Sequence, residues 1–495
     1  MSKKISIDPI TRLEGHGKID IYLDDNGSVD KAFFQVPELR GFETFVEGRP
    51  AEDMPQITSR ICGVCPTAHH MASVKALDAL YGVEPTPAAR AVREMFYNLF
   101  MFEDHLLHFF FLGGPDFIVG PDAPKEMRNI LGVIDKVGIE TGKKVIDIRK
   151  RCRELMTEIG GKPIHPVLGL PGGVAKQMTE EMREECKAFA KDAVAFAQFT
   201  MTAFNDIVLA NKTYLDLILS DVYYLETNYM GMVDKNNKVN FYDGAVRVVD
   251  PLGKEIQRFN PQEYASVIGE HVESWSYVKF PYLKKIGWKG FVDGKESGVY
   301  RVAPLARLNV ANGMATPLAQ AEYERFFSTI GKKPVHNTLA IHWARLVEVL
   351  FAAERLVELA LCEELTSPDI RNMNLQTPTQ GVGIVEAPRG TLIHHYQTDA
   401  NGIITQANLI VATVGNSAAI NMSIEKAAKK LITNGNVSDG LLNMVEMAFR
   451  AYDPCLSCAT HALPGKMPLK VRIKNSDDSI LKTIIRNCDG SEQQM

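Results

Sequence analysis

Two cysteine pairs with the same spacing sit near opposite ends of the chain: Cys62-Gly63-Val64-Cys65 and Cys455-Leu456-Ser457-Cys458. A CxxC spacing lets two thiolates reach one metal, and thiolates suit soft or borderline metals such as nickel, iron and zinc. Gly63 is expected to let the backbone turn tightly, and a helix starting at Pro66 would aim amide N–H groups at negative sulfur. The plainest reading is a structural zinc site with four cysteine ligands. Such sites draw their ligands from close together in sequence and have no need of neighbouring charge. Here the pairs are joined across most of the chain, and Arg60, His69, Asp453 and His461 crowd them. Cys152, Cys186, Cys362 and Cys488 stand alone and are expected to be small buried hydrophobes.

The pattern around these pairs predicts a mainly α fold: a large helical-bundle core with small peripheral β elements. Residues 4–36 alternate apolar and polar about Asp24-Asp25-Asn26-Gly27, the signature of a β-hairpin. Helices are expected over Thr67–Leu80 and Pro87–Leu112, the second apolar on nearly every face and therefore buried. Longer helical patterns run over Lys125–Ile159 and Thr179–Leu219, with a stiff loop from His165 to Gly173 between them. Residues 228–310 read as strands and loops, Thr316–Glu364 as helical, Gly381–Ile410 as strands, then helices at Asn416–Ile432 and Gly440–Tyr452. Residues 1–461 are expected to form a single domain, followed by a tail over 462–495.

Bulk composition excludes several classes. With 45% hydrophobic and 23% charged residues the chain is an ordinary globular sequence. A net charge of −5 offers no field for nucleic acid. No run approaches a membrane span and the N-terminus has no apolar leader, so a cytoplasmic location is expected.

The flanking residues carry a resemblance. R-x-C-G-x-C-x-x-x-H over 60–69 with D-P-C-x-x-C-x-x-H over 453–461 resembles the paired signature of the NiFe-hydrogenase large subunit. Asp8-Pro9-Ile10-Thr11-Arg12-Leu13-Glu14-Gly15-His16, Arg40-Gly41-Phe42-Glu43 and Glu386-Ala387-Pro388-Arg389-Gly390 resemble further family segments spread along the chain.

That resemblance implies reversible cleavage of H2 at a nickel–iron centre, an Ni–Fe(CO)(CN)2 cofactor. All four cysteines would bind nickel, with Cys65 and Cys458 also bridging to iron and Cys62 and Cys455 terminal. H2 would be polarised between the metals and a base, either a terminal thiolate or Arg389. Glu14 resembles the carboxylate that takes a proton from Cys455. Asp104 and Asp453 resemble the acids that orient Arg389, although Asp104 could instead pair with His108 one turn on. His69 matches the histidine that supports a bridging cysteine. Pro388, beside Arg389, and Thr413 fall where the family surrounds the iron ligands, although Ala412 stands where proline is usual. Glu43 and His461 match ligands of a second ion, Mg2+ or Fe2+.

No cysteine set remains for iron–sulfur clusters, so these are expected only in partners: a small iron–sulfur subunit, with further flavin/NAD or ferredoxin-linked subunits. The spelling CPTAHH and PCLSCATHA resembles the cytoplasmic branch linked to NAD(P), ferredoxin or heterodisulfide. In many relatives an endopeptidase, working with a maturation chaperone, cuts after the histidine equivalent to His461. Residues 462–495 are thus either a maturation peptide or a retained extension, and Lys466–Lys474 alternates like an edge strand. Two rival readings, a non-catalytic relative such as the quinone-site subunit of respiratory complex I and a zinc assembly module, lack a use for this full set of residues.

Overall fold

The structure is a computed structural model that describes residues 4–461, 469–477, 479–486 and 491–494. The N-terminal segment folds as a three-stranded antiparallel meander, β1 (Lys4–Ile7), β2 (Lys18–Leu23) and β3 (Val29–Gln35), one strand more than the expected hairpin. Asp24 makes its turn: the carboxylate accepts from the Asn26 and Ser28 amides at 2.9 and 2.8 Å. Ile19, Ile21 and Phe34 line the buried face.

The metal-bearing loop leads into α1 (Pro66–Leu80), with proline at its first position, where a missing amide hydrogen costs nothing. α2 (Pro87–Leu107) is capped by Thr86, whose hydroxyl accepts from the Ala89 amide at 3.2 Å. It ends five residues earlier than the pattern suggested, because the chain widens into a π-helical turn over His108–Gly113. The expected helix over 125–159 is broken in two, Ile130–Val137 and α3 (Ile139–Gly160), by Gly138 at φ 87°. The next pattern is broken too. α4 (Glu180–Phe204) passes through a π-helical turn and bends by 88° into Lys212–Leu219. No single helix among the described residues is long and apolar enough to cross a membrane.

A four-stranded sheet follows, β4 (Asn228–Val233), β5 (Ala245–Val249), β6 (Glu255–Phe259) and β7 (Tyr300–Arg301), in the order β7-β4-β5-β6 with β7 parallel to β4. A short helix α5 (Pro304–Val310) leaves it. The helical stretch expected over 316–364 is interrupted at Gly331 (φ 78°) before α6 (Ile341–Ala360). α6 packs against both α2 and α4, and α3 against α2, which makes the helical core. β8 (Gln380–Ala387), β9 (Gly390–Thr398) and β10 (Ile404–Ile410) form an antiparallel sheet, followed by α7 (Ser417–Leu431) and α8 (Asp439–Arg450). The tail forms its own antiparallel sheet of β11 (Leu469–Lys474), β12 (Ile480–Arg486) and β13 (Glu492–Gln494). The alternation over 466–474 is a strand from Leu469 onward, and residues 466–468 lie outside the described residues.

One contact fixes where α1 lies. A Cβ on Gly383 would sit 2.1 Å from the Ala72 carbonyl oxygen, and one on Gly381 2.1 Å from that of Ala76. These glycines let the helix lie directly on β8, and so fix the helix start that carries Cys65. Gly383→Ala is expected to cost about 1–3 kcal/mol as overpacking, read as a lower melting temperature with less metal bound. An unchanged melting temperature would mean that α1 can shift off the sheet freely.

His70, on the same helix, ties it to the loop 165–173. The Gly169 amide donates to Nε2 at 2.8 Å, so the remaining ring proton points to the Pro55 carbonyl at 3.3 Å. Burial pushes its pKa down to about 4. The folded value is depressed, so its stabilisation is present above the unfolded value of about 6.5 and is lost as pH falls toward 4. His70→Gln keeps the acceptor without titrating. Its stability should fall less steeply than the wild type's between pH 6.5 and 4. Parallel curves would contradict this.

Candidate metal centre

The fold brings the two cysteine pairs together. All four sulfurs are buried and lie within 4.8 Å of one another. Sγ–Sγ separations are 3.3 Å for Cys62–Cys455, 3.3 Å for Cys65–Cys458 and 2.9 Å for Cys455–Cys458. Two thiolates 4 Å apart repel by about 4 kcal/mol at an effective dielectric of ~20. Held as thiolates, the four sulfurs at this spacing would need cations between them. Amides of Val64 and Cys65 donate to Cys62 Sγ at 3.2 and 3.3 Å; they belong to the loop just before α1 and not to the helix start at Pro66 expected from the sequence. Gly63 is another matter. A Cβ there would meet nothing within 4 Å, so no tight turn demands it; it borders an open cleft instead.

That cleft, about 600 Å³, is lined by Glu14, Glu38, Arg40, Arg60, Cys62, His165 and Ser457 among others. Glu14 stands between it and the buried sulfurs: its carboxylate accepts from Cys455 Sγ at 2.9 Å and from the Ser457 amide at 3.1 Å. The Leu456 amide donates to the Glu14 carbonyl at 2.8 Å, so the two segments run side by side. Gly15 permits this approach, since it has φ +86° and a Cβ there would lie 2.8 Å from the Ser457 nitrogen.

Arg389 sits at the tip of the β8–β9 hairpin, in a two-residue turn with Pro388 between the paired Ala387 and Gly390. Its Nε donates to the Asp453 carbonyl at 2.8 Å, and its two terminal nitrogens to Asp104 at 3.2 Å and Asp453 at 3.1 Å. Burial opposes its charge, but Asp104, Asp453, Cys455 and Cys65 outweigh burial and hold it firmly protonated. Burial raises Asp104 to about 7 against the pull of Arg389. Asp104 does not pair with His108, which reaches the Arg450 carbonyl at 2.9 Å. Asp453 takes φ 56°, a conformation that asparagine and aspartate tolerate better than most residues.

His69 Nε2 lies 3.4 Å from Cys458 Sγ. Thr413 Oγ1 accepts from the Cys455 amide at 3.0 Å, leaving its own proton to donate elsewhere. Glu43 accepts from the Leu409 amide at 3.0 Å and pairs with Lys279 at 3.4 Å. His461 Nε2 faces the Cys458 carbonyl at 2.5 Å while its Nδ1, fully buried, has no hydrogen-bond partner among the described residues.

A family model described as nickel-dependent hydrogenase matches residues 40–126 and 293–461, which carry both cysteine pairs. The chain belongs to the nickel-dependent hydrogenase family. A model described as HoxL-like matches residues 4–39. The hydrogenase chain is 51% identical over 483 residues to an F420-non-reducing hydrogenase iron–sulfur subunit of Archaeoglobus profundus, covering 97% of this chain and 99% of that one. It is 38% identical over 493 residues to NAD-reducing hydrogenase HoxS subunit beta of Cupriavidus necator, covering 96% and 97% respectively. Its fold matches a crystal structure of an NAD+-reducing NiFe-hydrogenase in the H2-reduced state with a TM-score of 0.87 at 36% identity, covering 93% and 99%. This hydrogenase subunit cleaves H2 at a nickel–iron centre and passes the electrons to partners.

The four crowded, buried sulfurs fit such a centre. The hydrogenase site also contains residues that its motifs did not announce. Arg345 donates to Asp453 at 3.4 Å and to the Ala451 carbonyl at 3.0 Å. Arg307, on α5, grips the turn before Arg389: it donates to Glu386 at 2.8 Å, to the Ala387 carbonyl at 2.9 Å and to Glu348 at 2.6 Å. Glu348 in turn meets His105 at 2.8 Å. The available signal was Arg345 and Glu348, two charges three residues apart in the first half of α6, which apart from them and His342 is apolar from Ile341 to Ala353.

Proposed function

We propose that this chain is the H2-activating subunit of a multi-subunit, cytoplasmic hydrogenase whose electrons reach a soluble acceptor. The observation that carries the reading is Cys455: its sulfur lies beside Cys62, Cys458 and the Glu14 carboxylate at once. Residues 1–461 act as one domain. Both relatives are named as hydrogenase subunits, which supports the presence of partners, and a small iron–sulfur subunit would take up the electrons. A flavin/NAD or ferredoxin-linked subunit would follow it.

Cys62, Cys65, Cys455 and Cys458 would hold the nickel–iron pair, whose iron would carry carbon monoxide and cyanide. When bound, the pair supplies the open coordination position at which H2 is polarised. The protein's own groups do the rest. Arg389 serves as a fixed positive donor aimed by Asp104 and Asp453. The terminal thiolate of Cys455 takes the proton, and Glu14 carries it to the cleft. His69 would donate toward Cys458, and the Thr413 hydroxyl and Pro388 would serve the iron's cyanide side.

Glu43 and His461 Nδ1, which has no partner among the described residues, would hold a second divalent ion, magnesium or iron, with Lys279 sharing the Glu43 charge. Residues 462–495 are a maturation peptide, removed by an endopeptidase after chaperone-assisted nickel insertion. The separate three-stranded sheet of the tail supports this, because it pairs only with itself among the described strands. The test is H2-dependent reduction of a viologen dye by the anaerobically purified complex. Turnover that requires nickel is expected, and a nickel-replete complex with none would overturn the reading.

A further inference from the structure

A single file of hydrogen-bonding groups runs inward from the bridging-cysteine position. Cys458 Sγ lies 3.4 Å from His69 Nε2, and His69 Nδ1 lies 3.1 Å from His394 Nε2. His394 Nδ1 lies 2.6 Å from the Tyr396 hydroxyl, which lies 3.0 Å from Ser73 Oγ. His69 and Ser73 are one turn apart on α1, and His394 and Tyr396 share one face of β9, so helix and strand alternate along the file. All four side chains are at most 1% exposed. Bulk solvent is therefore kept from the file.

His69 Nδ1 and His394 Nε2 share a single proton across 3.1 Å, and no carboxylate stands in the file to hold a buried imidazolium, so both rings are neutral. A neutral imidazole has one donor and one acceptor nitrogen. The file must therefore run in one direction throughout. With a thiolate at Cys458, a bare His69 Nε2 would set a lone pair against a negative sulfur. The favourable direction has Tyr396 donating to His394 Nδ1, His394 Nε2–H to His69 Nδ1, and His69 Nε2–H to the sulfur. A serine hydroxyl can donate as well as accept, so Ser73, 3.0 Å from the Tyr396 oxygen, donates to it once the Tyr396 proton is turned from Ser73 to His394.

We propose that His394 and Tyr396 are positioning residues that lock His69 in the tautomer donating to Cys458, so weakening that sulfur as an electron donor to the metals. The proposal rests on the nickel–iron reading above. It names outer partners of a metal-supporting histidine, which set ring orientation and tautomer in metal sites generally.

The experiment is infrared spectroscopy in the carbonyl stretching region on anaerobically purified Tyr396→Phe, His394→Leu and His394→Gln holoenzymes, with nickel and iron analysis of each. Tyr396→Phe and His394→Leu should keep both metals while the carbonyl band moves to lower wavenumber, because a sulfur without its hydrogen bond donates more charge. His394→Gln, whose amide can still donate to His69 Nδ1, should return the band toward the wild-type position. An unmoved band in Tyr396→Phe overturns the proposal. Loss of metal from Tyr396→Phe overturns it too, since tuning of a bound sulfur leaves loading intact. Should His394→Leu fail to fold, Tyr396→Phe, which loses only a hydroxyl, decides. A wild type with no carbonyl band would refute the nickel–iron reading itself, an outcome distinct from a wild-type band that the variants fail to move.

Discussion

Cys455→Ser is expected to abolish H2 turnover and to empty the site of nickel. The substitution replaces a soft thiolate with a hard hydroxyl that stays protonated, and thiolate character is what selects nickel over harder ions. It also removes the atom through which Cys62, Cys458 and Glu14 meet. Metal analysis and dye reduction on the same anaerobic sample check it. Cys152→Ser is the control: Cys152 is buried far along the helical core, its sulfur directed at the Leu99 carbonyl at 3.3 Å. The control should retain nickel. Measurable turnover in Cys455→Ser would mean that the metals do not depend on this sulfur.

Glu14→Gln separates proton movement from metal binding. The amide is nearly isosteric and can still accept the Ser457 amide hydrogen, so the segment beside Cys455 should keep its place. It cannot pick up and release a proton. Groups that transfer protons contribute about 10²–10⁴-fold, and H/D exchange between H2 and deuterated water should fall by that order. Nickel and iron content should remain at wild-type levels. Exchange at the wild-type rate would remove Glu14 from the proton path and turn attention to other groups on the cleft.

The sulfur site was legible because its signal is local: two short motifs, each with a charged or imidazole flank, report their chemistry without knowledge of the fold. Glu14, Arg389 and Asp453 were legible for the same reason. Arg307, Arg345 and His394 were not, since each lies in a helix or strand whose sequence reads as ordinary core. They gain meaning only when α5, α6 and β9 converge on Asp453, the turn before Arg389, and His69. Helix type was readable from apolar periodicity, but helix ends were not. Gly138 and Gly331 interrupt patterns that continue across them, and the π-helical turns after α2 and α4 leave no mark in composition. Gly63 was misread for the opposite reason. A glycine in a CxxC suggests a tight turn, whereas here the missing side chain keeps open space beside the cleft.

The central claim, a nickel–iron centre on Cys62, Cys65, Cys455 and Cys458, meets its most direct test in infrared spectroscopy of the carbonyl and cyanide stretching region, with metal analysis on the same anaerobic sample. The account predicts carbonyl and cyanide bands together with stoichiometric nickel and iron. Stoichiometric zinc with a silent spectrum, in protein already cut after His461, would contradict it.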